Sequence, residues 1–231
     1  MRTTDILSAW EEGLGMDPVR RALLLLRATR PDVPMDDWVS TPIGERDRSL
    51  MNVREHLFGR ELQTVSQCPA CSERMESSFL TSDINGQTSD DIRTLAAEGY
   101  EIQFRLPTSA DLLKLLENTG AECDTLLLLH SCVSGVDVNT LPDTVVDRIA
   151  EEMERCDPAA CVRIQLSCPS CGHSWESLFD IAAHLWGDVD DWAHRLLDDV
   201  HRLARAYGWS EESILAMSAT RRHLYLQRVA A

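Results

Sequence analysis

Cys68-Pro-Ala-Cys71 and Cys168-Pro-Ser-Cys171 are the residues of this chain whose type and spacing point most directly to chemistry. Thiolates at i and i+3 of a tight knuckle converge on one ion at about 2.3 Å, and two knuckles complete a closed tetrahedral set of four sulfurs. Such a set leaves no position for substrate and holds structure together. The residues after each pair argue that the two share one ion. Cys68 to Phe79 reads CPACSERMESSF and Cys168 to Phe179 reads CPSCGHSWESLF, at a constant offset of 100 residues. Each copy predicts a strand, a knuckle and a return strand, with Met75 and Phe79 on the apolar face of one and Trp175 and Phe179 on that of the other. This is the zinc-ribbon pattern, and it predicts one structural Zn2+ on Cys68, Cys71, Cys168 and Cys171. His173 has Glu73 as its counterpart, so the repeat does not call for it as a ligand.

CPxC also serves as a redox dithiol when its first Cys opens a helix whose N-terminus lowers the thiol pKa. The alternation after each knuckle here is that of a strand. A thiol–disulfide oxidoreductase nevertheless stays open as an alternative, as does a zinc-ribbon regulator that binds nucleic acid.

The composition narrows the field. With 231 residues and 44% hydrophobic content, the chain is long enough for one large or two small domains with a real core. A formal net charge of −16 disfavours nucleic acid, whose phosphates reward clustered Lys and Arg. The one local basic candidate is Arg20, Arg21, Arg27 and Arg30. The longest apolar run, Ala22 to Leu26, falls far short of a membrane span. Met1 to Leu7 shows neither an apolar core nor a cleavage site of a secretory signal, so a reducing cytoplasm is expected. In that setting Cys123, Cys132, Cys156 and Cys161, which lack ligand spacing, read as small core hydrophobes.

The elements that must position the knuckles begin with a short helix around Ile6, Leu7 and Trp10, which breaks at Gly13 and Gly15. A second helix runs from Pro18 to about Thr29, and a Pro-rich link leads through Pro42. Residues 44–58 place Leu50, Val53, Leu57 and Phe58 on one helical face, with Arg46, Arg48, Arg54 and Glu55 as a solvated surround, and Gly59 as C-cap. Residues 61–67 alternate into the first knuckle, and the return strand reaches Leu80. Ser82 to Asp91, with Asn85-Gly86, reads as an exposed loop. Residues 100–106 alternate as a strand that would extend the first hairpin. After Pro107, helices are expected over Leu112 to Leu116, then Leu126 to Cys132 beyond Gly120, then from Pro142 through Met153. Residues 161–167 enter the second knuckle. From Asp180 onward the pattern is helical, with Gly208 ending one helix, Ser210 capping the next and Ser218 opening the last.

The expected class is α+β, mainly helical: a small antiparallel zinc-ribbon sheet built from two CPxC hairpins, with a helical insert and a C-terminal helical segment. The expected domains are a helical arm over 1–60, a split ribbon over 61–180 with its insert at about 108–157, and a helical segment over 181–231. No Gly-rich phosphate loop, nucleophile elbow or HExxH motif occurs, and no nucleophile stands in a recognisable pairing with a base. Asp188, Asp190, Asp191, Asp198 and Asp199 read as a solvated face, and His194 and His201 as packing residues. The chain is therefore expected not to be an enzyme.

A longer pattern runs through the chain. Its first half comprises Trp10-Glu11…Gly13, Arg46-Asp47…Leu50…Arg54-Glu55…Leu57-Phe58-Gly59, the CPxC, and Arg105-Leu-Pro-Thr-Ser109…Asp111-Leu112. Its second half comprises Phe179-Asp-Ile181…Leu185-Trp186…Leu196-Leu-Asp-Asp-Val200, Tyr207-Gly-Trp-Ser-Glu211, Arg221-Arg222 and Tyr225-Leu226. Together they resemble the baseplate hub assembly chaperone family of T4-like contractile tails and related proteins of bacterial contractile injection systems. The resemblance implies an assembly factor or component of a tail baseplate hub, with other baseplate or tail proteins as partners. The implied location is a bacterial or host cytoplasm during tail assembly, or the assembled particle. As a partner-binding surface we take Trp209, Arg221, Arg222, Tyr225 and Leu226, because aromatic and aliphatic anchors on a terminal helix can dock on another chain.

Overall fold

A computed structural model describes residues 2–84, 92–119 and 125–229. In chain order the elements are α1 (Thr3–Gly13), α2 (Pro18–Thr29), α3 (Met35–Ser40), α4 (Ile43–Phe58), β1 (Glu61–Gln67), β2 (Arg74–Leu80), β3 (Arg93–Ala97) and β4 (Tyr100–Phe104). After these come α5 (Ser109–Thr119), α6 (Thr125–Cys132), β5 (Val133–Ser134), α7 (Asp143–Cys156), β6 (Val162–Ser167), β7 (Ser174–Phe179), α8 (Ile181–Tyr207), α9 (Glu211–Leu215) and α10 (Ala219–Val229). Three short 3-10 turns lie at Thr81–Asp83, Val138–Thr140 and Pro158–Ala160. The mainly helical α+β class with small antiparallel sheets is as the sequence predicts. The Asn85-Gly86 turn, the Gly120 break and Cys123 lie outside the described residues.

The chain forms two compact units, one of residues 32–182 and the other of residues 1–31 with 183–231. Residues 1–31 therefore group with the C-terminal helices.

In the unit of residues 32–182, the two knuckle hairpins are separate two-stranded sheets, β1-β2 and β6-β7, both antiparallel. The offset of 100 extends into their register: Leu62 pairs with Phe79 as Val162 pairs with Phe179, and Gln67 with Arg74 as Ser167 with Ser174. Alternation along each strand leaves one face covered and one in solvent. On the covered faces Phe79 and Phe179 meet edge to face, with ring centroids 5.1 Å apart. Tyr100–Phe104 is a strand, as its alternation predicts, but it does not extend the first hairpin. It is the centre of a distinct sheet in the order β3-β4-β5. That sheet and the helices between the knuckles share a core of Ile102, Phe104, Leu106, Leu129, Val138, Val145, Ile149 and Met153. The insert thus has an interior of its own.

Local chemistry explains the boundaries. Asp17 caps α2 by accepting from the Arg20 amide, with Pro18 in the first turn. Gly59 leaves α4 at φ +91°, a conformation that favours glycine. Ser210 caps α9 by accepting from the Ser213 amide. The Pro-rich link contains a short helix that its sequence does not announce, α3, with Pro34 at its N-cap and one buried side chain, Trp38.

Two arginines read as solvated are buried. Arg54 donates to the Gly59 and Glu61 carbonyls and so closes the turn into β1. Arg46 donates to Asp47 at 2.7 Å and to the Ser109 hydroxyl at 3.4 Å. The physical reason is that each guanidinium finds carbonyl, carboxylate or hydroxyl partners that repay its desolvation.

Burial pushes the Asp47 carboxyl up to about 6, against the opposing pull of Arg46; Asp180 and Asp157 push it the same way as burial. A carboxyl raised above its unfolded value of 3.8 adds stability fully only below that value, and this is lost as pH rises through about 6. Between pH 4 and pH 7 the loss is on the order of 2–3 kcal/mol. Asp47→Asn is expected to flatten that slope, as read from urea unfolding midpoints at pH 5 and pH 7. An unchanged slope would mean that Asp47 is ionised without cost.

In the unit of residues 1–31 and 183–231, α1 and α2 pack together, and α8 supplies Leu185, Val189, Ala193, Leu196 and Leu203 as a buried stripe. The Trp10 indole donates to Asp190 at 2.8 Å, and the Arg21 guanidinium lies 4.5 Å from the centre of the Trp186 ring. Gly13 lies against Trp186, where an added Cβ would come within 2.4 Å of the ring.

Candidate metal centre

The two knuckles are built alike from the backbone upward. The Cys68 amide donates to the Glu73 carbonyl at 2.9 Å and the Ser72 amide to the Cys68 carbonyl at 2.8 Å. In the second copy the Cys168 amide donates to the His173 carbonyl at 2.8 Å and the Gly172 amide to the Cys168 carbonyl at 2.9 Å. The reversal needs a left-handed residue, supplied by Ser72 at φ +62° and by Gly172 at φ +74°.

These turns bring Cys68, Cys71, Cys168 and Cys171 together, all four sulfurs lying within 4.8 Å of one another. Across the two hairpins Cys68 Sγ is 3.7 Å from Cys171 Sγ, and Cys71 Sγ is 3.6 Å from Cys168 Sγ. A tetrahedron with metal–sulfur arms of about 2.3 Å has sulfur–sulfur edges of about 3.8 Å, whereas a disulfide would need about 2.05 Å. The set fits a four-thiolate metal centre, and the four cysteines are free thiols. Cys68 and Cys168 are buried beside Met75 and Trp175, while Cys71 and Cys171 face solvent.

The Cys168 and Cys71 thiols are shifted in opposite directions. Burial pushes the Cys168 thiol up, but the Cys171 and Ser170 amides and the neighbouring thiols overcome this and bring it down to about 7. The Glu73 amide pulls the Cys71 thiol down, yet its hydrogen bonds with the other thiols hold it up at about 12. A bound divalent ion would allow all four to ionise.

Among the described residues this is the one group of His, Cys, Asp and Glu side chains close enough to hold a metal. His173 stacks on Trp175 at 6.0 Å and stands outside it. His194 meets Trp10 edge-on at 5.4 Å, and His201 is exposed. Asp190 accepts from Trp10, and Asp188 lies 3.7 Å from His184. Cys132 and Cys156 are buried and Cys161 half-buried, in keeping with packing roles. Sequence reasoning missed the knuckle amides and the left-handed Ser72. The glycine at the matching place in the second copy was the available signal.

The proposed partner surface divides. Leu226 and Arg222 are buried, Leu226 in a cluster with Leu203 and Ile214, and Arg222 donating to the Met217 carbonyl at 2.6 Å. Arg221 is exposed, and Trp209 and Tyr225 are half-buried. The basic candidate near the N-terminus is engaged within its unit: Arg20 pairs with Asp17 at 2.6 Å, Arg27 with Glu12 at 2.5 Å, and Arg21 donates to the Gly13 carbonyl.

Hairpins that bring four thiols together, around a helical insert with its own core, define a helical protein with a split ribbon whose four cysteines could hold a metal ion. Residues 25–186 match the family of T4 bacteriophage base plate proteins, and the chain belongs to that family. The matched stretch contains both knuckles, whereas the Tyr207 to Leu226 ending lies beyond it. No curated protein and no solved structure matches the chain. Among the described residues, no helix is long and apolar enough to cross a membrane.

Proposed function

We propose that this protein is a non-enzymatic assembly factor or structural component of a contractile-tail baseplate hub, in a phage-like particle or an injection system, stapled by one structural Zn2+. The family match over residues 25–186 carries this reading. The metal is assigned as zinc because four thiolates at tetrahedral spacing suit an ion that is borderline-soft and indifferent to redox state. With every ligand position filled by sulfur, the ion would serve folding rather than catalysis. The partners would be other baseplate or tail proteins, met in the cytoplasm during tail assembly or retained in the particle.

The test is complementation of a producing strain that lacks this chain. The full chain is expected to restore sheathed, functional particles, and a chain without residues 210–231 to leave them at background while still binding one Zn2+. Normal particle numbers with the shortened chain would defeat the assembly reading.

A second reading, a thiol–disulfide oxidoreductase, would use the CPxC pairs Cys68/Cys71 or Cys168/Cys171, of which Cys71 and Cys171 are exposed. Insulin reduction by the metal-free protein would support it. Thiols that resist alkylation until a chelator is added would remove it.

A further inference from the structure

After residue 200 the charge of the chain reverses. Arg202, Arg205, Arg221, Arg222 and Arg228 stand against Glu211 and Glu212, a balance of +3 in a chain of net −16, so the first 200 residues carry −19. The extreme is α10, with three arginines, His223 and no carboxylate. Arg222 is committed to the interior, where it donates to the Met217 carbonyl and faces Asp199. Arg202, Arg205, Arg221 and Arg228 are exposed and pair with no carboxylate among the described residues.

A cluster of three rings lies beside this charge. Tyr207 stacks on Trp209 with centroids 4.5 Å apart, and Tyr225 meets them edge-on at 5.8 and 4.9 Å. The Arg221 guanidinium lies 5.9 Å from the centre of the Tyr225 ring. Tyr207 is 38% exposed, and Leu224, one residue from Tyr225, is 47% exposed. Leu203, Ile214 and Leu226 form the floor beneath, so the rings are held from below and open above.

Rings with a pre-set geometry, an exposed leucine and guanidinium groups that have no carboxylate partner among the described residues, Arg228 donating to the Leu224 carbonyl at 2.7 Å, suit a partner that brings both apolar side chains and carboxylates. Screening over about 8 Å at physiological salt lets this local positive charge act beside a strongly acidic remainder. Nucleic acid suits the surface less well. Base stacking needs open ring faces, and Tyr207 and Trp209 cover one another.

We infer that the outer face of α10, with the Tyr207–Trp209–Tyr225 cluster, docks a carboxylate-rich segment of another tail protein. This rests on the proposed assembly role and specifies the chemistry of the partner.

The test places the photoreactive residue benzoyl-phenylalanine at Leu224, in cells producing the complete tail apparatus, and identifies the adduct by mass spectrometry after irradiation. The expected product joins this chain to another tail protein at a segment rich in Asp and Glu. Its yield is expected to fall at least about tenfold when Arg221→Glu and Arg228→Glu are added, with the unfolding midpoint of the purified protein unchanged. An adduct indifferent to the charge reversals, or joined to a segment without excess carboxylates, would overturn the inference. So would an adduct to a second copy of this chain, to nucleic acid or to lipid, or the absence of any adduct. If residues 210–231 are still required for particles in those cases, the assembly role stands and only the acidic docking falls.

Discussion

Cys168→Ser protein is expected to carry no bound metal and to have lost its ribbon while keeping its other cores. The two hairpins form separate two-stranded sheets, and isolated hairpins of this size are marginal in water. Near the thiols the apolar support is small: Cys68, Met75 and Cys168, with Trp175 against them. Structural zinc supplies about 10–16 kcal/mol of apparent binding free energy in small zinc domains, comparable with the whole stability of an ordinary domain, about 5–15 kcal/mol. Losing one of four ligands should therefore leave the ribbon unable to hold. The insert has a core of Ile102, Phe104, Val145 and Ile149, and the helices around Leu185 and Val189 belong to the other unit. Native mass spectrometry should show one Zn2+ per wild-type chain and none in the variant. Hydrogen exchange should show lost protection in β1, β2, β6 and β7, with protection kept in α7 and α8. A chelator should reproduce this pattern in the wild type, and ribbon amides still protected without metal would refute the staple.

Gly44→Ala is expected to be the most damaging single methyl addition in the unit that holds the four-cysteine cluster. Gly44 donates its amide to the buried Asp157 carboxylate at 2.8 Å, and an added Cβ would stand 1.8 Å from Asp157 Oδ1 and 2.9 Å from the Ala160 amide nitrogen. Relief requires moving the turn Pro158–Ala160 that leads into β6, or breaking a charge-assisted hydrogen bond in the interior. Overpacking costs about 1–3 kcal/mol and a buried hydrogen bond to a charged group about 1.5–3 kcal/mol, so by either route a loss of about 1–3 kcal/mol is expected. Gly15, with nothing within 4 Å of its virtual Cβ, serves as control. Gly15→Ala should shift the urea midpoint little. Equal midpoints for the two variants would show that the Asp157 turn yields freely.

The four-cysteine cluster was legible because its signal is chemical and repeated: four cysteines, one spacing and one offset, carried through to the strand register. Helices with long apolar stripes or strong end signals, such as those from Pro18 and Pro142, were legible for the same kind of reason. Other features were not. Tyr100–Phe104 declares itself a strand by alternation, but alternation does not name a partner, and β3, which pairs with it, is only five residues long. In α3 six residues bury one side chain, too little for periodicity to register. Arg46 and Arg54 looked solvated because residue type predicts charge and not the carbonyls or carboxylate that receive it. The grouping of residues 1–31 with 183–231 depends on contacts such as Trp10 to Asp190, 180 positions apart, which no local pattern announces.

The 97 positions between Cys71 and Cys168 also set an order in time. At about 5–20 residues per second of synthesis, the first knuckle leaves the ribosome roughly 5–20 s before its counterpart exists. During that interval two thiols can hold an ion only loosely, with water or a scavenging ligand in the remaining positions. The intervening segment, with its own interior, can fold in that time and present its two ends side by side. Metal capture would then be the closing step of biogenesis for this unit, and cells short of zinc would accumulate chains with a finished insert and an open ribbon.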